Sequence, residues 1–271
     1  MKFSIGKTMI AGALAAMSLE ASAQAFLELD TTPNVFGLGI GTVPDYRGSE
    51  DNTGVIAPFL RYTFDRSQRY FQINATEATL NLVDSPNFRF GPVLNYHPGR
   101  DDDVDNSQVA RLRKIDGTVE AGVFAEYAWF DRANPRNRFI IGMTLLADAG
   151  GESEGFRARL NARYWRQVGA AVDLHIGGGV MYADSNYTDH YFGVNARNVG
   201  TSGLPFFNAG SGVNEYFLTL GGVVYLSKTW VGVAGVRLSQ IAGDAKDSPL
   251  VSQVGDKSQV IGGIGLGYMW R

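Results

Sequence analysis

The chain has 271 residues with 24 Lys and Arg against 27 Asp and Glu, a formal charge of −3, no cysteine and 34 glycines. The charges are mixed along the chain, which excludes a nucleic-acid footprint, and the missing cysteines exclude a small secreted fold stapled by disulfides. Mean hydropathy is −0.09, near that of a soluble protein, which does not exclude a membrane barrel because its strands alternate and average to neutral.

Taken in chain order, Lys2 and Lys7 precede the apolar run Thr8–Leu19, and Ala21-Ser22-Ala23 then has the small-x-small form of a cleavage site. Residues 1–23 are therefore expected to be a cleaved export signal, and residues 24–271 a single domain. The run is too short to span a bilayer as a permanent helix.

From there on, one pattern repeats: a segment of alternating character closed by turn residues. Phe36, Leu38 and Ile40 alternate with Gly37, Gly39 and Gly41. In the segment 88–97, Phe88, Phe90, Pro92, Leu94 and Tyr96 alternate with Arg89, Gly91, Val93, Asn95 and His97. Val119 to Trp129 alternate with Glu120, Gly122, Phe124 and Glu126, and Val172, Leu174 and Ile176 alternate with Asp173, His175 and Gly177. The last segment sets Val260, Ile264, Leu266, Tyr268 and Trp270 against Gln259, Gly263, Gly265 and Gly267. A period of two is a strand with two unlike faces. Segments of about ten residues whose apolar rows end in aromatics are the pattern of transmembrane β-strands.

The expected strands are 35–42, 55–64, 70–75, 78–83, 88–97, 116–130, 138–148, 155–166, 170–182, 214–226, 230–240 and 258–270. This gives an all-β fold: a transmembrane antiparallel up-and-down β-barrel of about twelve strands in the outer membrane of a Gram-negative bacterium. The even count depends on reading "NATEATLN" as a tight hairpin. Short and long connections then sort onto opposite ends, the short ones periplasmic and the long ones, including 98–115 and 183–213, outside.

In this frame "GFRARLNARYWR" points Arg157, Arg159 and Arg163 into the lumen, since an arginine at mid-depth in lipid costs roughly 2 to 4 kcal/mol. They are expected to form a lumen charge network with Glu120, Glu126, Asp173 and His175. The second candidate site is the long outer loop, where Tyr191, Phe192, Phe206 and Phe207 are suited either to surface contacts or to packing a plug over the barrel mouth.

Five segments resemble the MltA-interacting protein family (MipA, also called the OmpV family). "VPDYRGSEDN" is similar to that family's Pro-x-Tyr-x-Gly-Ser first outer loop, and "NYHPGRDDD" to its Tyr-x-x-Gly-Arg-Asp segment. "IDGTVEAGVFAEY" resembles its next strand, "HYFGV" its Tyr-Phe-Gly-Val patch, and "GDAKDSPLVSQVGDKSQVIGGIGLGYMW" its closing loop and final strand. The resemblance implies an outer-membrane protein without catalytic activity, acting as a scaffold that joins a lytic murein transglycosylase to a peptidoglycan synthase. Its expected surroundings are outer-membrane lipid and lipopolysaccharide, with no nucleic acid, cofactor or metal.

Three alternatives have residue-level tests. A surface adhesin would use the outer loops. A narrow pore for small solutes would have an Arg-lined lumen that Phe124 and the charged side chains partly fill. An omptin-like protease would bring the Asp101 and Asp103 pair to the Asp173 and His175 pair.

Overall fold

The computed structural model describes residues 34–270, so the expected signal segment lies outside the described residues. Twelve antiparallel strands close into one barrel, each paired to its neighbours in sequence and the last to the first. They are β1 (Asn34–Pro44), β2 (Asn52–Thr63), β3 (Tyr70–Asn74), β4 (Glu77–Asn81), β5 (Phe88–His97) and β6 (Thr118–Phe130), followed by β7 (Arg138–Asp148), β8 (Phe156–Val168), β9 (Val172–Ala183), β10 (Gly212–Tyr225), β11 (Trp230–Ile241) and β12 (Ser258–Trp270). The "NATEATLN" segment is a hairpin: Asn74 pairs with Glu77, and Ala75 turns the chain with a positive φ of 47°.

Closure leaves no strand edge, so the backbone is satisfied within the wall and the side chains are free to sort by solvent. The outer row is apolar along the wall: Phe36, Leu38 and Ile40 are 55%, 61% and 61% exposed. Two aromatic girdles bound this belt. Trp230 and Phe36 pack on Tyr268, and Trp129 on Tyr127 and Phe139, at the end bearing the short turns. Phe156 and Tyr182 meet at the other end. A belt of this kind is stable only against lipid.

The interior is filled. Val35, Phe59, Ala128, Ile140, Trp165, Val223, Val231 and Met269 form an apolar cluster inside the short-turn half of the barrel. Glycines in the inward row leave room for these rings: a Cβ on Gly37 or Gly267 would run into the Phe59 ring. Above this core the inward residues are charged. Over the outer mouth lie a 3-10 turn (Val109–Arg111) and four short helices: α1 (Ser185–Phe192), α2 (Ala196–Ser202), α3 (Gly243–Asp247) and α4 (Pro249–Ser252).

Candidate functional site

Two layers inside the barrel carry the chemistry. The lower one is the lumen charge network. Arg157 makes a two-pronged bond to Glu120, Nε to Oε1 at 2.9 Å and Nη2 to Oε2 at 2.5 Å, and Glu120 also accepts the Asn95 amide at 2.9 Å. Arg163 and Arg89 both reach Glu126, at 2.9 and 3.2 Å. Arg159 pairs at 3.0 Å with Glu77, which the sequence reading had not placed in the network. Glu120 and Glu126 stand on β6 and Arg157 and Arg163 on β8, so these two bonds must cross β7, whereas Arg89 reaches Glu126 from the adjacent β5. The Arg163–Glu126 bond crosses where β7 is small: a Cβ on Gly142 would sit 3.1 Å from Glu126 Cγ and 3.3 Å from Asn161 Oδ1.

Asp173 belongs to a different cluster. Its carboxylate takes Arg136, from the turn 131–137, at 2.8 Å and the Tyr225 hydroxyl at 3.3 Å. His175 packs its ring on Trp165 at 4.6 Å. Asp173 and His175 stand at i and i+2 on the inward face as their spacing implies, with Asp173 paired to Arg136 and the His175 ring on Trp165. Both lie at the short-turn end of β9, whereas Asp101 and Asp103 lie in the outer connection between β5 and β6. The barrel therefore separates the two halves of the omptin-like arrangement, and they cannot act on one bond. Among the described residues no group of three or more His, Cys, Asp or Glu is placed to hold a metal ion.

The upper layer is the plug. Asp184 caps α1 by accepting the Tyr187 N–H at 2.9 Å, and the helix turns Tyr187, Tyr191 and Phe192 downward. Tyr191 and Phe192 are buried and pack into the plug, with Phe207 partly buried against them. Phe206 is 62% exposed. The plug is stitched to the other outer loops across long stretches of chain. The Tyr46 hydroxyl donates to the Val254 carbonyl at 3.1 Å, the Ser248 hydroxyl to the Phe192 carbonyl at 2.6 Å, and the Gln259 amide to the Ser49 carbonyl at 2.9 Å. Gly48 joins this seam with φ of +96°, a conformation open to glycine, and a Cβ there would lie 2.6 Å from Val251.

Beneath the plug is a cavity of about 70 Å³ that opens to solvent. Its lining includes Tyr46, Arg47, His97, Arg100, Tyr191 and Glu215. Arg47 descends from the first outer loop to Glu215 at 2.7 Å and to the Tyr187 hydroxyl at 2.9 Å, while Arg237 holds the other oxygen of Glu215. Burial pushes the Tyr46 phenol up to about 12. The sequence reading had not singled out Tyr46, Arg47, Arg100, Glu215 or Arg237. The alternation of β10 and β11 put the last two on the inward face, but a bulge between Val213 and Glu215 shifts the register just where the strand emerges from its loop.

The family model for "MltA-interacting protein MipA" matches residues 36–270. A curated relative from Escherichia coli (strain K12), named as an outer membrane protein, YiaT, is 26% identical over 210 residues, 77% of this chain and 80% of the relative. Among solved structures, the translocator domain of the autotransporter NalP from Neisseria meningitidis is similar at TM-score 0.45 and 11% identity, covering 96% of this chain and 95% of that one. An outer membrane channel from Pseudomonas putida F1 is similar at TM-score 0.46 and 11% identity, covering 89% and 96%. At those scores the fold rests on the strand pairing of the chain itself.

Proposed function

The chain belongs to the MltA-interacting protein MipA family, and from that premise we propose that it is a non-catalytic outer-membrane scaffold whose periplasmic rim brings a lytic murein transglycosylase together with a peptidoglycan synthase. The observation that carries the reading is the family match across the whole described barrel. The filled interior supports it, because a barrel packed with side chains and capped by a plug offers surfaces rather than a passage.

The rim is the surface that faces the murein. It carries exposed Arg66, Arg69, Arg132, Arg166 and Lys228 against exposed Asp65, Asp84 and Asp131. The cations outnumber the acids, a field that speeds encounter with an acidic patch and fixes its orientation. The turns themselves are short, so the contact surface in this reading is the ring of turns as a whole rather than any single loop.

The test is a titration of the folded, detergent-solubilised protein against a purified lytic murein transglycosylase from the same envelope, with an unrelated barrel as control. Saturable binding at micromolar or tighter, about −8 kcal/mol, is expected for this protein alone. Reversal of Arg66, Arg69, Arg132 and Lys228 to Glu is expected to abolish it, while reversal of Arg111 and Lys114 on the outer face leaves it unchanged. Binding that survives the rim reversal, or that never appears, removes the scaffold role.

A further inference from the structure

Arg100 is a buried cation that no acid neutralises. It is 8% exposed, and its guanidinium makes one hydrogen bond, from Nη1 to the Tyr191 carbonyl at 3.4 Å. Among the described residues no carboxylate forms an ion pair with it. Its neighbour Asp101 uses its own carboxylate to accept the Asp103 N–H at 3.0 Å. Asp45, at the edge of the same cavity, accepts the Asp105 N–H at 2.9 Å. Glu215, across the cavity, is already shared by Arg47 and Arg237. Burial pulls the Arg100 guanidinium down to about 10, the Tyr46 phenol opposing and Arg113 adding to the effect, so it is fully charged at neutral pH.

The chain takes trouble to put this charge where it is. Arg100 forms an isolated antiparallel bridge with Ile115, N–H to carbonyl in both directions at 2.8 Å. The strands approach so closely there that a Cβ on Gly99 would collide with the Ile115 carbonyl. Gly99 thus permits the bridge, and the bridge aims Arg100 into the cavity it lines. Burying a guanidinium without a paired counter-charge is costly. The rest of the lining is largely apolar or aromatic: Pro44, Ile115, Tyr191, Ile241 and Ile261.

From the uncompensated Arg100 and the apolar walls around it, we infer that the cavity beneath the plug binds a small organic monocarboxylate from the aqueous side. The carboxylate takes the free donors of Arg100, for which a planar two-oxygen acceptor is the matching shape, and the apolar body lies against Ile241 and Ile261. One negative charge suffices, since Glu215 and Asp45 together offset two of the three guanidiniums Arg47, Arg100 and Arg237. An aqueous source follows from position: the cavity sits among outer-loop residues and the outer ends of the strands, above the lipid-facing belt. This site is at the opposite end of the barrel from the periplasmic rim, and it stands or falls independently of the scaffold reading.

Benzoate is a suitable probe, with benzamide as its neutral counterpart, both titrated into the full-length solubilised protein and followed by calorimetry. Saturable sub-millimolar binding of benzoate and none of benzamide is expected. Arg100→Gln is expected to weaken benzoate about tenfold or more, with heat-modifiable gel mobility showing that the barrel is folded. Ile261→Phe, which fills the cavity and keeps the cation, is expected to abolish binding, and it decides the matter if Arg100→Gln does not fold. Lys114→Gln, at an exposed loop position paired with Asp102, is expected to bind as the wild type does. Equal binding of benzamide, or benzoate binding unchanged in both cavity variants, or no binding by the wild type overturns the inference. Displacement of benzoate by laurate delivered in the micelle overturns the aqueous source.

Discussion

The side chain that best separates packing from charge in this molecule is Glu120. It is 2% exposed and held by both prongs of Arg157 and by the Asn95 amide. Replacing it takes the carboxylate counter-charge away from a buried guanidinium, which costs about 3 to 5 kcal/mol. Glu120→Leu is therefore expected to lower the urea midpoint strongly, while the double change Glu120→Leu with Arg157→Met recovers most of the loss, because two apolar groups of similar volume need no partner. Urea unfolding followed by Trp fluorescence measures both. If the single and double variants are equally unstable, the pair is valued for shape and its charge is incidental. The arginine stripe was legible in the sequence because three cations on one face of a membrane strand have only one place to go. Its partners were half legible: Glu120 and Glu126 share the inward phase of a neighbouring strand, but Glu77 sits on a five-residue strand too short to show a phase. Arg100 was legible only as the arginine of the Gly-Arg-Asp resemblance and not as a buried charge, since next to Asp101, Asp102 and Asp103 it has the appearance of one more solvated loop charge, and the close approach at Gly99 turns it inward.

Among the elements, the strands and the plug differ in kind. The longer strands declare themselves through local alternation, and the count of twelve and the sorting of loops follow once "NATEATLN" is read as the hairpin joining the short β3 and β4. The plug does not, because its bonds join residues far apart in the chain, such as Tyr46 with Val254 and Ser248 with Phe192. A short helix such as α1 is marginal alone and exists because the mouth receives it. Its stability is expected to depend on pH through His190, which is 8% exposed. Burial lowers its pKa to about 4, with Arg113 and His97 acting the same way. The Glu152 carboxylate at 3.5 Å pulls upward, and Asp148 does the same, but neither outweighs burial among guanidiniums. A base whose folded pKa is depressed binds fewer protons folded than unfolded between the two values. Its stabilising effect is complete above about 6.5 and is lost as pH falls toward about 4. The loss is roughly 2 to 3 kcal/mol. Acidification across that window is expected to speed amide exchange in 184–211 while the strands stay protected. His190→Asn is expected to flatten the pH response, and exchange that accelerates equally in wild type and variant places the pH sensitivity elsewhere.

For the molecule as a whole, the interior is arranged in three successive layers along its axis. An apolar core around Phe59, Trp165 and Met269 fills the periplasmic half. Ion pairs between β6 and β8 occupy the middle, and the loop plug closes the outer mouth, with the cavity just below it. Buried side chains occupy all three layers, so a narrow anion pore, which an arginine-lined lumen would otherwise suggest, is expected to require all three to open together. In planar bilayers the wild type is accordingly expected to show no steady conductance. Replacing 186–210 by a short Gly-Ser link widens the outer vestibule and is still expected to leave the path closed, because Trp165 and the Arg157 layer stand below it. Only the same deletion combined with Phe59→Ala, Trp165→Ala and removal of the ion-pair layer by Glu120→Ala with Arg157→Ala is expected to give openings. Steady current from the wild type, or from the plug deletion alone, would show that the lower layers part readily, and the barrel would then have to be understood as a gated pore with its arginines as the selectivity element.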